Sequence, residues 1–434
     1  MSNPTASRRD FFQKTATAAA AAALAGRLGL ARSVHAAGTD QLKFALIGCG
    51  GRGSGAAANC LNAPDNLKLV AVADVFEDQA KGAVERLKKQ YGERVDVPPD
   101  RMFIGFDAYK QAIAAGVDLV LLATAPGFRP IHYQAAIEAG KHVFMEKPVC
   151  VDAPGYRSVM ETNKVADQKN LKVVVGHQAR HDPKFIETIK RIHDGALGKI
   201  NFLRAYRNGA GVWVRPRQTG QTEMQYQLRN WYYFVWLCGD QITEQHVHHI
   251  DRVLWAMKDE HPIEANGMGG RQVRKGPDYG HIYDHQYVEY TFADGTLLFS
   301  QNRHIRGCWY SSSQFVHGSK GSSDCGGKIL GENAWEYQGP TVNANDQEHV
   351  DLIQAIRKDE RRNEGWYGAN SSFTTVLGRM ATYSGKLVKW DDAVAKGPTE
   401  MPARLAWDAN PRVMPDASGS YEHAVAMPGL YRAY

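Results

Sequence analysis

Residues 240–251 read DQITEQHVHHID, with three histidines, a glutamate and two aspartates in twelve positions. Such a run can hold a metal ion or supply acid–base groups. Wound as a helix over 240–256, it places Asp240, Glu244, His248, Asp251 and Trp255 on one stripe. His246 and His249 fall on roughly the opposite side, so the three histidines cannot converge on one ion from this helix. No HExxH pattern or cysteine pair stands nearby to complete a site, and no metal is expected. Proton transfer remains. A neutral imidazole near pH 7 suits removal of a hydroxyl proton. His248 is the candidate base, and Glu244, one turn earlier, can fix its tautomer or bind an adjacent hydroxyl. His246 and His249 read as hydrogen-bonded core residues.

A second constellation lies near the start. The apolar run Gln41–Ile47 is long enough for a buried strand and enters Gly48-Cys49-Gly50-Gly51-Arg52-Gly53, followed by a helical stretch over 54–63. Strand, G-x-G-x-x-G and helix is the context that gives this motif meaning. The first glycine permits the tight turn, the second admits a pyrophosphate, and the third lets the helix pack on the strand. Free N–H groups at the helix start favour the phosphates. The next strand, 67–73, ends at Asp74, 26 residues after Gly48. A carboxylate there can accept from both ribose hydroxyls and opposes a 2′-phosphate, which predicts NAD rather than NADP.

These groups need a scaffold, and the first half supplies strand–helix alternation. Strands are expected over 118–124, 142–145 and 173–175, with helices over 131–139 and 154–169. Short links between them predict a Rossmann-type, doubly wound parallel sheet. Ligands then sit at the carboxyl ends of strands, where Thr124, Glu146 and Lys147 fall.

At Glu146-Lys147-Pro148 the sequence resembles the Gfo/Idh/MocA family of oxidoreductases. The resemblance rests on Gly48–Gly53, Asp74, Thr124, His132, Gly140-Lys141-His142-Val143, Glu146-Lys147-Pro148 and the 244–251 segment, and spans nearly all of 40–395. It implies NAD bound by Gly48, Gly50, Gly51, Arg52, Gly53, Asp74, Thr124, His132, Glu146 and Lys147. It also implies that Lys147 lies near the nicotinamide and the reacting hydroxyl, where it can stabilise an alkoxide or act as base. Family members use a D-x-x-x-H-x-x-D segment in catalysis. Here Glu244 replaces the first aspartate, reaching one methylene further, while His248 and Asp251 match. Arg180, His181, Trp231, Tyr232 and Asp251 are the expected substrate contacts, since sugars offer flat faces to rings and hydroxyls to charged groups. The phrase Arg229-Asn230-Trp231-Tyr232-Tyr233 looks like an exported branch found with carbohydrate-active enzymes.

The ends fit export. Arg8-Arg9 lies in a twin-arginine signature, followed by an alanine-rich stretch and a small-residue cleavage site at Val34-His35-Ala36. Residues 1–36 are expected to be a removed signal, leaving no membrane span and a periplasmic protein. Removal takes five basic residues and one acidic residue from totals of 52 and 46, so the formal charge falls from +6 to +2. Nothing then points to nucleic acid. The six cysteines are scattered, form no CxxC pair, and are expected to be free and mostly buried.

The expected organisation is a NAD-binding domain over 37–178, an α+β substrate and oligomerisation domain over 179–410, and an irregular arm over 411–434. The second domain is expected to hold an open antiparallel sheet. One hairpin is predicted from 286–292 and 296–304 around Ala293-Asp294-Gly295. Further strands are expected over 200–206 and 314–317, and helices over 348–358 and 371–385. The family's open sheet implies a homodimer or homotetramer.

Two chemistries suit an exported enzyme that must keep and regenerate its cofactor. The first-ranked is an NAD-dependent oxidoreductase acting on a hydroxyl of a sugar or sugar derivative. The alternative is a redox-assisted glycosidase that oxidises C3, eliminates the aglycone, adds water and re-reduces. It needs a base for C2, for which Tyr232 or Tyr233 is the candidate. A sugar-binding protein with a degenerate site is a third class, opposed by the intact Lys147, His248 and glycine loop.

Overall fold

The structure, a computed structural model, describes residues 40–434; the expected signal over 1–36 lies outside the described residues. Strands β1 (Leu42–Ile47), β2 (Leu67–Asp74), β3 (Met102–Ile104), β4 (Leu119–Leu122), β5 (His142–Met145) and β6 (Val173–Val175) form one sheet in the order β3-β2-β1-β4-β5-β6. Every pairing is parallel. A parallel sheet covered on both faces requires near-continuous apolar strands. β1 meets this by alternation: Ala45 and Ile47 enter one buried cluster, and Leu42, Phe44 and Leu46 enter the cluster on the other face. β3 and the helices Glu77–Tyr91 and Ala108–Ile113 are additions to the elements expected from sequence.

The second sheet has nine strands. Its centre comprises β7 (Ile200–Gly209), β8 (Glu264–Gly270), β9 (His285–Thr291), β10 (Leu297–His304) and β11 (Ser311–Gly318), ordered β11-β7-β10-β9-β8. β9 and β10 are the expected hairpin, and Gly295 takes φ +84° in its turn, where a side chain would be strained. The sheet is mixed rather than wholly antiparallel, because β7 and β10 pair in parallel. The chain between them makes the long return that a parallel pair requires.

The helix Gly365–Ser384 joins the two halves. Phe373, Val376 and Leu377 belong to the same cluster as Val143 and Val175 of the first sheet and Val288 and Leu298 of the second. All six cysteines are free, and only Cys308 is exposed. The tail forms no strand but lies on the core: Tyr421 is fully buried, and the Val413 carbonyl accepts from Gln227 Nε2 at 2.7 Å.

Candidate active site

β1 ends at Gly48, whose φ is +97°; a Cβ there would lie 2.4 Å from the Thr124 amide nitrogen. A Cβ on Gly53 would lie 1.8 Å from the Gly48 carbonyl oxygen. These two positions admit only glycine. Gly50 and Gly51, by contrast, face open space at the start of the helix Gly51–Asn62. That opening is the backbone approach a pyrophosphate needs. Asp74, at the end of β2, accepts from the Cys49 and Phe76 amides at 2.7 and 2.9 Å. Burial raises its carboxyl pKa, and the two amides oppose that rise. The glycines, Asp74, Thr124 and His132 line one cleft of about 440 Å³, closed opposite by Trp213, Arg215, Arg229 and Trp231. The donor set and the uncrowded glycines fit a dinucleotide.

His132 is buried, with Nδ1 3.2 Å from Thr124 Oγ1. Burial and then Arg129 push its pKa down to about 3, so it stays neutral and holds Thr124 in place. Arg52, in the glycine loop, pairs with Glu146 and reaches Glu348 at 3.4 Å. Two strand ends and a helix are thus tied beside the cleft.

A second pocket, about 360 Å³, adjoins the first through Arg52, Ala123, Thr124, Trp213 and Trp231. Its polar wall holds Glu146, Lys147, Glu244 and His248. Lys147 Nζ donates to the Glu244 carbonyl at 2.6 Å and to its Oε1 at 2.9 Å. Glu244 Oε2 accepts from Gln245 Nε2 at 2.7 Å.

The expected single helix over 240–256 is two, Gln241–Glu244 and Val247–Ala256. The His246 amide bonds the Gln241 carbonyl at 3.3 Å, a wider loop than the α-helical one. The break leaves the Glu244 carbonyl for Lys147. Asp240 does not share the stripe. It sits at φ +75° and accepts from the Tyr283 amide and the Tyr383 hydroxyl, anchoring the turn. His246 and His249 point away and contact Ser300 and Ser312 hydroxyls at 2.8 and 3.1 Å.

His248 faces the pocket with no hydrogen-bond partner among the described residues. Its ring stands edge-on to His177 at 6.0 Å. Burial, then Lys147 and His177, hold its pKa well below 6.5, so the imidazole is neutral. Neutrality is the state a general base requires.

Trp231 and Tyr232 line this pocket, but three other expected substrate contacts do not. Arg180 clasps Asp251 at 2.9 Å and Asp259 at 2.6 Å, and lies 3.7 Å from the Tyr367 ring centre. Asp251 also accepts from Ser371 at 2.8 Å. His181 is flanked by Asp351 at 2.6 Å and Glu364 at 3.4 Å. Arg180, His181 and Asp251 are therefore corrected to structural roles behind the pocket, because each already satisfies a buried opposite charge.

The tyrosines are corrected as bases. Burial first, and then Glu244, raise the Tyr232 pKa well above 10, so it stays protonated. Its buried hydroxyl has no partner among the described residues and can donate to a ligand. Tyr233 donates to the Trp213 carbonyl at 3.0 Å and is fixed outside the pocket. The sequence reading also missed Arg129, Gln178, Trp213, Gln245 and Asn345, all of which line the pocket. Gln245 lies inside the 240–251 run but between its charged positions, and the other four stand in no recognisable motif. The closeness of Arg129 to His132 was the one available signal.

Residues 42–177 match the Gfo/Idh/MocA description, an oxidoreductase family with an NAD-binding Rossmann fold. The chain is similar to inositol 2-dehydrogenase of Rhizobium meliloti (strain 1021): 26% identical over 281 residues, 65% of this chain and 74% of that protein. It is also similar to scyllo-inositol 2-dehydrogenase (NADP(+)) of Bacillus subtilis (strain 168), at 25% identity over 61% of this chain and 68% of the relative. The solved structure of aldose-aldose oxidoreductase from Caulobacter crescentus, complexed with glycerol, aligns with a TM-score of 0.63. It is 18% identical and covers 80% of this chain and 99% of that one, a likeness of fold.

Proposed function

From the premise that residues 42–177 are an NAD-binding Rossmann domain of the Gfo/Idh/MocA oxidoreductase family, we propose that the protein oxidises a hydroxyl of a sugar or sugar derivative. The observation that carries this reading is the meeting of Lys147, Glu244 and His248 in a pocket that opens on the cofactor cleft.

NAD, when bound, would supply the redox chemistry as the acceptor of hydride from the substrate carbon. The chain's own groups handle the proton and the charge. A ring nitrogen of neutral His248 takes the hydroxyl proton. Two of the three N–H bonds of Lys147 go to Glu244, which leaves the third to donate to the oxygen as it becomes negative. Glu244 fixes the direction of that ammonium. Tyr232 donates to a neighbouring oxygen, and Trp213 and Trp231 offer flat apolar faces.

The curated relatives named above are inositol dehydrogenases, and a cyclic polyol presents the same hydroxyl chemistry as a sugar. Asp74 supports NAD over NADP by placing a carboxylate where a 2′-phosphate would lie. The cofactor is proposed to stay bound and be recycled within the catalytic cycle. The closed wall of the cleft supports this: Arg229 pairs with Asp78 at 2.5 Å and covers the Phe76 ring at 3.7 Å. Such retention suits the proposed twin-arginine export to the periplasm. The redox-assisted glycosidase is the second reading: burial favours a protonated Tyr232, and the Tyr233 hydroxyl is engaged by the Trp213 carbonyl, so neither is poised as its second base.

We also propose a homodimer or homotetramer assembled through the outer face of the nine-stranded sheet. The row Met268–Tyr287–Gln301–Tyr206 crosses that face, and Met268 is 76% exposed.

The test is incubation of purified protein with polyols, aldoses and α- and β-glycosides without added cofactor. A keto product that stops accumulating without an acceptor supports the oxidoreductase. Release of free sugar from glycosides with no net NADH contradicts it.

A further inference from the structure

Arg129 opens the helix Arg129–Glu138 and lines the substrate pocket while 1% exposed. Its Nη2 donates to the Thr124 carbonyl at 2.7 Å. Nε and Nη1 have no hydrogen-bond partner among the described residues. A buried guanidinium is normally matched by a carboxylate, since five donors cannot otherwise be satisfied. Among the described residues no carboxylate hydrogen-bonds it.

The pairing around the pocket makes this plain. Lys147 is matched by Glu244, and Arg52 takes Glu146. Glu348, the next carboxylate, also turns to Arg52 and is pushed toward its protonated form by burial and Glu146. Glu146 acts on Arg129 only through space. The carboxylates around the pocket thus turn to Lys147 and Arg52, and none hydrogen-bonds Arg129.

Building on the oxidoreductase reading, we propose that Arg129 receives a carboxylate of the substrate, so that the preferred substrate is an acidic sugar such as a uronic acid. The guanidinium's remaining donors then gain the anion the protein does not provide. Thr124 fixes the other end of the fork at the junction of cleft and pocket, so the carboxylate also sets which ring hydroxyl faces Lys147 and His248. A neutral polyol leaves the buried charge uncompensated and binds more weakly.

The test compares D-glucuronate and D-galacturonate with D-glucose and D-galactose, using cofactor-loaded wild type, Arg129→Met and Arg129→Lys. Wild type is expected to show kcat/KM about ten- to a hundredfold higher for the acids, the range for a charged hydrogen bond. Arg129→Met is expected to lose that preference, its kcat/KM falling further for the acids than for the neutral sugars, with NAD still bound. Arg129→Lys keeps part of the preference, which provides the test if the methionine variant does not fold. Equal or better use of the neutral sugars by wild type overturns the inference. So does loss of bound NAD from a folded Arg129→Met, which would assign the guanidinium to the cofactor's phosphates. An equal fall on both sugar classes also overturns it. Oxidation of a cyclic polyol but of neither sugar class by wild type overturns this inference and leaves the oxidoreductase reading in place.

Discussion

Lys147 holds Glu244 by both backbone and side chain, at 2.6 and 2.9 Å, across 97 residues of sequence. Their side chains are 10% and 9% exposed. The contact joins the end of a Rossmann strand to the break between two helices of the second half. It fixes the ammonium where the substrate pocket meets the cofactor cleft.

Glu244→Gln keeps the shape but removes the counter-charge. The ammonium then points less firmly at the reacting oxygen. Single-turnover kinetics should show kcat reduced about ten- to a hundredfold with NAD content unchanged, a loss smaller than removal of a transition-state donor. Unchanged kcat would show that Glu244 is not needed to aim Lys147.

The pH profile should lack an ordinary histidine step. Burial and Lys147 hold His248 well below 6.5, so it is already neutral and able to accept a proton on the acid side of neutrality. The activity limb assigned to this group should therefore fall only well below pH 6.5. A limb centred at 6.5 that disappears in His248→Gln would contradict this account.

Stability should depend on pH through His181 and Glu364. Although burial opposes it, Glu364 and Asp351 lift the His181 pKa from 6.5 to about 10. Its contribution is fully present below pH 6.5 and is lost as pH rises through about 10. His181, against the opposing effect of burial, lowers the Glu364 pKa from 4.5 to about 2; that contribution is present above 4.5 and is lost as pH falls through about 2. Thermal unfolding should show this pair contributing most between pH 4.5 and 6.5. His181→Ala should cost roughly 3–5 kcal/mol there, as for a broken buried pair. An unaltered Tm would return His181 to the substrate-contact role.

Asp74→Ser should weaken the choice of NAD over NADP. It also leaves the Cys49 and Phe76 amides without their acceptor, at a cost of about 1–3 kcal/mol. Calorimetric titration of cofactor-stripped protein measures both cofactors. A preference for NAD equal to that of wild type would mean that another group makes the choice.

The parallel sheet and glycine loop were legible because they follow from local pattern. Apolar runs, Gly48–Gly53 and Asp74 declare their geometry within about thirty residues, the scale of one βαβ unit. The site was half legible. Glu244 and His248 share a helical stripe in the sequence, yet the stripe also contained Asp240 and Asp251, which serve the turn and a buried ion pair. No periodicity marks the break that frees the Glu244 carbonyl, because its partner Lys147 is distant in the chain. Arg180 and His181 misled for the same reason: a charged side chain looks available until Asp251, Asp351 and Glu364 are placed beside it. Arg129 stands three residues before His132, but its distinction is a missing partner, which only packing reveals.

The central claim is that His248 removes a hydroxyl proton and Lys147 stabilises the oxygen while bound NAD is reduced. Rapid mixing of cofactor-loaded protein with a polyol or sugar acid, followed by NADH absorbance, measures that step alone. Wild type should show one reduction per site, reversed on adding a keto-sugar acceptor. Lys147→Met and His248→Gln should retain NAD and reduce it about 10²–10⁴-fold more slowly, the span for a lost acid–base group. Reduction at the wild-type rate in either folded, NAD-loaded variant would contradict the account.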